Sequence, residues 1–254
     1  NGVGLFDLSQ IVGKDNIGSI TAVKGGSYDK KTGIARYSAA VEKPSYTYAT
    51  GSSAVALTVE FTLDMSKLPK SPFTDVTAGA WFYDAVLYAS GRELMVGTAD
   101  ATFSPNTPMT RAMLVAVLYR LAGSPSVSGK TPFTDVAAGT WYSDAVLWAY
   151  QNDIVAGTSD TTFEPLSNIT REQIVAIFSR YTAKFAPDKA KAAAELTGFA
   201  DSASVAGWAV DDMKWAVAQK IIGGRENGGR LYLAPQGNAS RAEVATILMQ
   251  YCAL

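Results

Sequence analysis

The sequence predicts a mainly α-helical protein with three tandem helix–loop–helix repeats, preceded by a small β-sheet module. Three observations support this fold class: a set of motifs that occurs three times after residue 70, an apolar stripe at helical spacing in each copy, and alternating apolar residues before residue 70. The 254 residues are enough for one or two domains with cores of their own. We therefore expect a β module at 1–70 and repeats at 72–123, 131–183 and 198–254.

The first 70 residues show the two-residue period that is typical of strands. Two segments alternate apolar with small or polar side chains, and their apolar positions are Tyr37, Ala39 and Val41, then Val55, Leu57, Val59, Phe61 and Leu63. A turn is expected at Asp29–Gly33, and further strands at Ile20–Val23 and Tyr46–Ala49. We interpret this segment as a small sheet, or as the end of a larger domain, and nothing in it points to chemistry.

The repeats are identified by motifs that recur in a fixed register. Phe73-Thr74-Asp75-Val76 recurs 60 residues later as Phe133-Thr134-Asp135-Val136. The same offset relates two tryptophans, two glycines and two threonine–arginine pairs, namely Trp81 and Trp141, Gly97 and Gly157, and Thr110-Arg111 and Thr170-Arg171. A more divergent third copy supplies Asp201, Trp208, Gly224 and Arg241, with insertions predicted near Ala206 and in Arg225–Leu231. Such self-similarity is the signature of a repeat architecture.

Each repeat is predicted to contain two helices. The first is expected to run from the tryptophan for roughly twelve residues, because Trp141, Ala145, Trp148 and Ala149 lie on one helical face. The second is expected to follow an N-cap at Thr110, Thr170 or Ser240, with capping boxes in the last two copies. Its wide apolar stripe needs partners, which three equivalent helices supply to one another in a pseudo-threefold bundle.

Three further local predictions follow from the same patterns. Gly97, Gly157 and Gly224 are expected to provide a left-handed C-cap or a turn. The Ala- and Lys-rich stretch Asp188–Leu196 is expected to form a short extra helix. Trp148 and its counterpart Trp215 are expected to lie in the core.

The composition excludes several classes of function. The absence of histidine excludes Ser-His-Asp catalysis and His-ligated zinc, and the single cysteine, Cys252, excludes an intrachain disulfide and a Cys-rich metal site. The net charge of −1 argues against a nucleic-acid partner. No apolar run reaches the roughly 18 residues that cross a bilayer. We therefore predict no metal, no cofactor, no nucleic acid and no membrane insertion.

The repeated motif resembles the S-layer homology (SLH) repeat. Each copy contains, in this order, Phe-x-Asp-Val, a tryptophan, a glycine, a Thr-x-Phe-x-Pro loop and Thr-Arg-Ala, and the third copy lacks some of these residues. The three copies together cover about residues 72–254. The resemblance implies an extracellular module at the cell surface, with three repeats in a pseudo-threefold spindle and binding grooves between neighbours. It also implies non-covalent binding of a secondary cell-wall polysaccharide attached to peptidoglycan, often ending in a pyruvylated N-acetylmannosamine.

The copies depart from the family motif in ways that differ between them. The histidine that commonly precedes the tryptophan is absent. The fourth position of Thr-Arg-Ala-Glu is Met113 in the first copy and Gln173 in the second, and the third copy lacks an aromatic residue at the Phe103 position. The three grooves are therefore expected to differ in affinity.

Arg111, Arg171 and Arg241 are the first candidate glycan-binding residues. Each occupies the first helical position, where a cation opposes the helix dipole, so its threefold recurrence needs a reason. One hypothesis is a carboxylate site, made by the helix N-terminus and the guanidinium fork. The alternative is a structural salt bridge to Asp75, Asp135 or Asp201. The residues alone do not decide between them, and the family resemblance favours the ligand.

The remaining candidates also have two interpretations. Trp81, Trp141 and Trp208 would stack on sugar faces or lie in the core. Asp75, Asp135 and Asp201 would accept hydrogen bonds from sugar hydroxyls or cap a turn. Gly97, Gly157 and Gly224 would admit a sugar close to the backbone, besides their role in turns.

Three functions are compatible with the sequence: a glycan-binding wall anchor, a module that assembles with copies of itself in a surface layer, and the non-catalytic tail of a larger secreted enzyme. The recurring carboxylates of the first helices, at Asp84, Asp144 and Asp211, have no acidic partner at matching positions. Acid–base catalysis needs two carboxylates in different roles, so a threefold repetition of one residue set favours recognition. We predict that this chain is not an enzyme and that wall anchoring is its function.

Overall fold

The computed structural model describes residues 3–24, 26–30, 33–38, 45–49, 56–60 and 71–254. The chain divides into two compact units, Asn1–Asp84 and Ala85–Leu254. Strands dominate the described part of the first unit and helices dominate the second, which confirms a mainly α-helical chain with a small β module. None of the described helices is long and apolar enough to cross a membrane.

The described part of the β module forms two antiparallel three-stranded sheets. The strands are β1 (Val3–Asp7), β2 (Ile20–Lys24), β3 (Gly26–Asp29), β4 (Ile34–Ser38), β5 (Ser45–Tyr48) and β6 (Leu57–Glu60), with a short helix α1 (Ser9–Val12) after β1. The sheet orders are β1-β4-β3 and β2-β5-β6. Buried side chains of Leu8, Ile20, Ala35 and Tyr46 form its core.

The strand predictions are confirmed where the residues are described. Both further segments form strands, as β2 and β5, and the predicted turn falls between β3 and β4, with Lys31 and Thr32 outside the described residues. The Gly33 N–H donates to the Asp29 carbonyl at 2.9 Å, and the φ of +75° at Gly33 is a left-handed conformation that favours glycine. Tyr37 lies in β4 and Leu57 and Val59 lie in β6. Five predicted strand positions lie outside the described residues, namely Ala39, Val41, Val55, Phe61 and Leu63.

Each repeat contains the two predicted helices. The first helices are α2 (Tyr83–Gly91), α4 (Ser143–Gln151) and α6 (Val210–Ala218), and the second helices are α3 (Arg111–Leu121), α5 (Arg171–Phe185) and α7 (Arg241–Cys252). The expected start of the first helices at the tryptophans is wrong, since each helix begins two residues later. The tryptophans lie in the preceding turn, which frees their side chains from the helical face.

The N-caps of the second helices are as predicted. Thr110 Oγ1 accepts a hydrogen bond from the Met113 N–H, and reciprocal capping boxes link Thr170 with Gln173 and Ser240 with Glu243. These side chains satisfy backbone donors that the helix itself leaves unpaired.

Of the two roles predicted for the motif glycines, a left-handed C-cap or a turn, the left-handed C-cap is wrong. Positive φ angles after the first helices occur at Glu93, Asp153 and Lys220, close to the helix ends, and none is found at the three motif glycines. A Cβ at Gly157 would overlap the carbonyl oxygens of Ser159 and Thr162, and one at Gly224 would crowd the side chains of Phe199 and Leu231. Glycine is therefore required at these two positions for close packing.

The expected helix at Asp188–Leu196 is also wrong. A single 3₁₀ turn forms at Pro187–Lys189, and the chain then runs without helix along α6. The Lys189 carbonyl accepts hydrogen bonds from Trp215 Nε1 at 3.0 Å and Gln219 Nε2 at 2.8 Å, and the Ala194 N–H donates to Lys214. These tertiary hydrogen bonds outweigh the weak local propensity of an Ala-rich segment.

The insertion predicted in the third repeat is a β-hairpin. Its strands are β7 (Arg225–Asn227) and β8 (Arg230–Tyr232). Gly228 and Gly229 form the two-residue turn with φ angles of +58° and +75°. Positive φ at both positions is what a type I′ hairpin turn requires.

Backbone hydrogen bonds join the three repeats in a closed cycle. The residue before each N-cap supplies one link. Met109 donates its N–H to the Ala239 carbonyl at 2.8 Å, Ala239 donates to Ile169 at 3.3 Å, and Ile169 donates to Met109 at 2.9 Å. All three residues are fully buried, so each of these polar groups needs its partner. No repeat can leave the cycle without exposing unpaired groups in the other two.

The core between the second and third repeats is aromatic. Tyr181 packs against Trp148, Phe185 and Tyr251, with ring centroids 5.0 to 6.3 Å apart. Trp148 and Trp215 are buried, which confirms their predicted place in the core. Burial, together with Tyr251 and Cys252, raises the pKa of Tyr181 to about 12.

This raised pKa predicts a loss of stability at alkaline pH. An unfolded chain releases the tyrosine proton near pH 10, whereas the folded protein holds it to about pH 12. The contribution of Tyr181 is therefore complete below about pH 10 and falls as the pH rises towards 12. Tyr181→Phe keeps the ring and should make this decline shallower, which urea unfolding across the pH window would measure. An unchanged decline would show that Tyr181 does not contribute to it.

We also predict that a fragment of residues 71–254 folds without the β module. All links of the backbone cycle and all six helices of the repeats lie within it. It should show helical circular dichroism and one cooperative thermal transition. A fragment ending at Ala186 lacks the third repeat and two of the three cycle bonds, and should lose that transition. A fragment of 71–254 that stays unfolded would refute the prediction.

Candidate functional site

The three motif tryptophans lie at the protein surface. Their exposed fractions are 66% for Trp81, 59% for Trp141 and 55% for Trp208, so of their two interpretations the one that places them in the core is wrong. The Trp141 ring packs edge-on against Tyr142, with centroids 5.1 Å apart and planes at 89°, and Trp81 packs on Phe82 in the same way. Trp81 and Trp141 therefore each pack against the neighbouring ring while more than half of their surface stays accessible.

A groove of about 460 Å³ lies beside Trp141. All three repeats contribute to it: the segment after α2 and one side of α3 from the first, Trp141 from the second and Arg241 from the third. Three predicted site residues, Gly97, Trp141 and Arg241, thus meet at one place. The walls are otherwise mainly apolar, with the side chains of Met95, Val96, Met109, Met113, Ala116 and Val117.

The three motif arginines bind the backbone of the next repeat in the same cyclic order. Arg111 Nε donates to the Phe163 carbonyl at 2.8 Å, Arg171 Nε to Leu233 at 2.7 Å, and Arg241 Nε to Phe103 at 2.8 Å. Their exposed fractions are only 7%, 4% and 5%. The recurrence of the cation at the first helical position therefore has a structural reason that the sequence did not indicate.

The helix N-termini also bind the next repeat. In α3, the N–H of Arg111 donates to the Ser167 carbonyl at 3.0 Å and the N–H of Ala112 to Pro165 at 2.9 Å. The first two residues of α5 and α7 make the corresponding bonds to the third and the first repeat. Because the third N–H is taken by the N-cap side chain, the carboxylate-site hypothesis rests on the guanidinium nitrogens alone.

Two of the three motif aspartates hold the loops that receive the arginines. Asp135 accepts the N–H groups of Phe163 at 2.9 Å and Glu164 at 2.7 Å, and Asp201 accepts those of Leu233 at 2.7 Å and Ala234 at 2.8 Å. Each aspartate therefore binds the N–H of the residue whose carbonyl binds an arginine. Asp75 lies partly buried in the first unit, in a turn where the Val76 N–H donates to Phe73.

The charges around the arginines differ between repeats. Burial lowers the pKa of Arg111, while Glu164 and Asp135 act in the opposite direction. Burial likewise lowers the pKa of Arg171, and Glu243 opposes this shift. Glu243 forms a 3.4 Å ion pair with Arg171 and a two-pronged one with Arg225 of the hairpin, whose shortest distance is 2.7 Å. Met113 occupies the corresponding position in the groove beside Trp141, so that groove has no such internal acid at this position.

Met109 and Arg120 also line the groove and were not among the predicted site residues, and Met113 was noted only as a departure from the family motif. Arg120 recurs as Arg180 at the offset of 60 residues, so the repeat register would have marked it. The apolar residues carried no such signal, since they belong to the same helical stripe as the core.

Comparison with known proteins identifies the family. The S-layer homology domain matches at residues 72–112, 132–175 and 198–245, which together exceed half of the chain. The chain therefore belongs to the S-layer homology domain family. Family membership places it outside the cell, at the cell surface.

Three relatives show the range of proteins that contain similar segments. An amylopullulanase of Thermoanaerobacterium thermosulfurigenes is 32% identical over 66% of this chain and 9% of its own. An endoglucanase of Bacillus sp. (strain KSM-635) is 30% identical over 72% of this chain and 19% of its own. A surface-layer 125 kDa protein of Lysinibacillus sphaericus is 31% identical over 59% of this chain and 12% of its own. The chain thus spans less than a fifth of each of these relatives.

We predict that Arg241→Ala destabilises the fold. Besides the bond to Phe103, Arg241 Nη2 donates to the Val96 carbonyl at 2.6 Å, so the variant removes two charge-assisted hydrogen bonds between repeats. The expected cost is about 3 kcal/mol in the free energy of unfolding, measured by urea denaturation. Arg111→Ala, which removes one such bond, should cost about half as much.

Arg230→Ala is the control, because Arg230 is exposed on β8 and its loss should change stability by less than about 0.5 kcal/mol. Equal stability of Arg241→Ala and Arg230→Ala would contradict the structural role of the motif arginines.

Proposed function

We propose that this chain anchors a secreted surface protein non-covalently to the bacterial cell wall by binding a secondary cell-wall polysaccharide. The observation that carries this proposal is the groove beside Trp141, in which an exposed, fixed indole, an apolar wall and two arginines meet. Sugars present apolar C–H faces and polar rims, and such a mixed surface fits both.

The cyclic hydrogen bonds support the spindle part of the proposal. Each repeat donates from its second helix into the loop of the next, so three equivalent junctions exist, and a groove follows one of them. We propose that α3, α5 and α7 form the central three-helix bundle of a pseudo-threefold spindle. The grooves then lie between neighbouring repeats.

We infer that the module itself is not catalytic. The candidate residues recur in each repeat and hold backbone groups or lie at the surface. The names of the relatives include both enzymes and a surface-layer protein, which supports one role for the shared segment in otherwise different proteins. That role is attachment to the cell surface.

The direct test is binding of the 254-residue chain to purified wall sacculi, before and after chemical removal of the secondary polysaccharide. Binding that depends on the polysaccharide and saturates at low protein concentration supports anchoring. Sheets that form at higher concentration without glycan would favour self-assembly in a surface layer instead. Equal binding to stripped and intact sacculi would overturn the proposal.

Trp141→Ala is predicted to weaken binding to intact sacculi by about tenfold, because a stacking aromatic face contributes on the order of 1.5 kcal/mol. Its thermal stability should change little, since most of the indole surface is already exposed. Leu166→Ala is the matched control, because Leu166 is also an exposed apolar residue of the second repeat and does not line the groove. Equal binding by the two variants would exclude Trp141 from the site.

A further inference from the structure

Asn227 and Gly228 form an asparagine–glycine pair at the tip of the hairpin β7–β8. Asn227 is the last residue of β7, and Gly228 is the first residue of the two-residue turn. Both residues are exposed, as is the rest of the hairpin from Arg225 to Leu231. The Asn227 side chain forms no hydrogen bond with the described part of the chain, so its amide is open to reaction.

An asparagine that precedes glycine can react with its own backbone. The backbone nitrogen of Gly228 attacks the side-chain carbonyl carbon of Asn227 and forms a C–N bond. The side-chain nitrogen leaves as ammonia and takes the proton of the attacking N–H, so the product is a five-membered succinimide ring. Water then opens one of the two ring C–N bonds, which gives aspartate or isoaspartate. Water is the only co-reactant.

The hairpin tip favours this reaction. A Cβ placed at Gly228 would meet no atom within 4 Å, so open space surrounds the attacking nitrogen. The N–H of Gly228 is not a donor in the backbone hydrogen bonds of the described turns and loops. Asn227 with Arg230 is the innermost of only three pairs in the ladder. A two-stranded hairpin is marginally stable by itself, so this pair opens readily and lets Asn227 rotate towards Gly228.

The structure protects the other asparagines of the described part of the chain. Each of them precedes a residue with a side chain, and they are Asn16, Asn106, Asn152, Asn168 and Asn238. In four cases the N–H that would attack is already bound to a backbone carbonyl, since Thr107, Asp153, Ile169 and Ala239 are donors. The last two of these bonds belong to the buried cycle between the repeats. Asn1 also precedes a glycine and lies outside the described residues.

We infer that Asn227 is a self-modification site, at which the hairpin converts asparagine to aspartate and isoaspartate without an enzyme. Isoaspartate continues the main chain through its side-chain carbon, which lengthens the backbone by one carbon. The pair with Arg230 that closes a two-residue turn is then lost. The strand β7 also carries Arg225, whose ion pair with Glu243 joins the hairpin to α7. The modification therefore adds a negative charge and loosens this hairpin, whatever ligand the module binds.

The test is incubation of the 254-residue chain in mildly alkaline buffer, followed by cleavage after lysine and mass spectrometry. Cleavage after Lys220 releases residues 221–254 as one fragment, which contains both Asn227 and Asn238. Because Asn238 is also exposed, it is the internal control. Asn227 should exchange its amide nitrogen for oxygen at least about tenfold faster than Asn238. Equal rates, or an unchanged Asn227, would overturn the inference.

Two variants check the chemistry and its effect on the hairpin. Asn227→Gln should leave this position unmodified, because its longer side chain would have to close a six-membered ring. A fragment of this variant that gains mass as fast as the wild type would place the reaction elsewhere and overturn the inference. Asn227→Asp carries the new charge on an ordinary backbone, so it should melt at a higher temperature than the isoaspartate form isolated from the incubated wild type. Equal melting temperatures would overturn the loosening of the hairpin.

Discussion

The structure depends on one interaction, the set of hydrogen bonds that the start of each second helix donates to the loop of the next repeat. The first two N–H groups of the helix and the guanidinium of its first residue all donate to carbonyls across the junction. A helix N-terminus leaves donors unpaired, and the neighbouring loop has carbonyls to pair. Each repeat thus supplies hydrogen-bond acceptors for the unpaired N–H groups of another repeat, and these bonds form a closed cycle.

This constraint explains why an unfavourable charge recurs at the first helical position. A cation there opposes the helix dipole by a few tenths of a kcal/mol or more. One or two charge-assisted hydrogen bonds from each arginine to carbonyls of the next repeat offset that cost. Stacking adds to them, since the guanidinium carbons of Arg111 and Arg241 lie 4.7 and 4.5 Å from the ring centroids of Phe163 and Phe103. The third copy has Leu233 in place of the ring and gains the ion pair with Glu243.

The junctions share a backbone arrangement but differ in the charges of their side chains. At one junction Glu243 pairs with Arg225 and Arg171, so cation and anion are both internal. At another, Arg180 lies beside Asp212. Met113 lines the groove beside Trp141 at the position that corresponds to Glu243, and Ala145 of α4 occupies the position that corresponds to Asp212. Repetition therefore provides the scaffold, and divergence between the copies gives one groove its own chemistry.

The sequence by itself determined the elements that depend on local patterns. The register of the repeats predicted the six helices. The N-caps at Thr110, Thr170 and Ser240 follow from side chains that bind backbone N–H groups three residues further on. The hairpin turn uses Gly228-Gly229, two residues that adopt positive φ without strain. The tertiary structure alone decided what depends on neighbours distant in sequence. The segment that begins near Lys189 does not form the predicted helix, because the Lys189 carbonyl accepts hydrogen bonds from Trp215 and Gln219. Glycine is required at Gly157 because of close packing against Phe133. Trp141 faces solvent because its helix begins after it. The motif arginines could not be assigned from the sequence, because their acceptors are backbone carbonyls, which every residue has and which only the folded chain brings within reach.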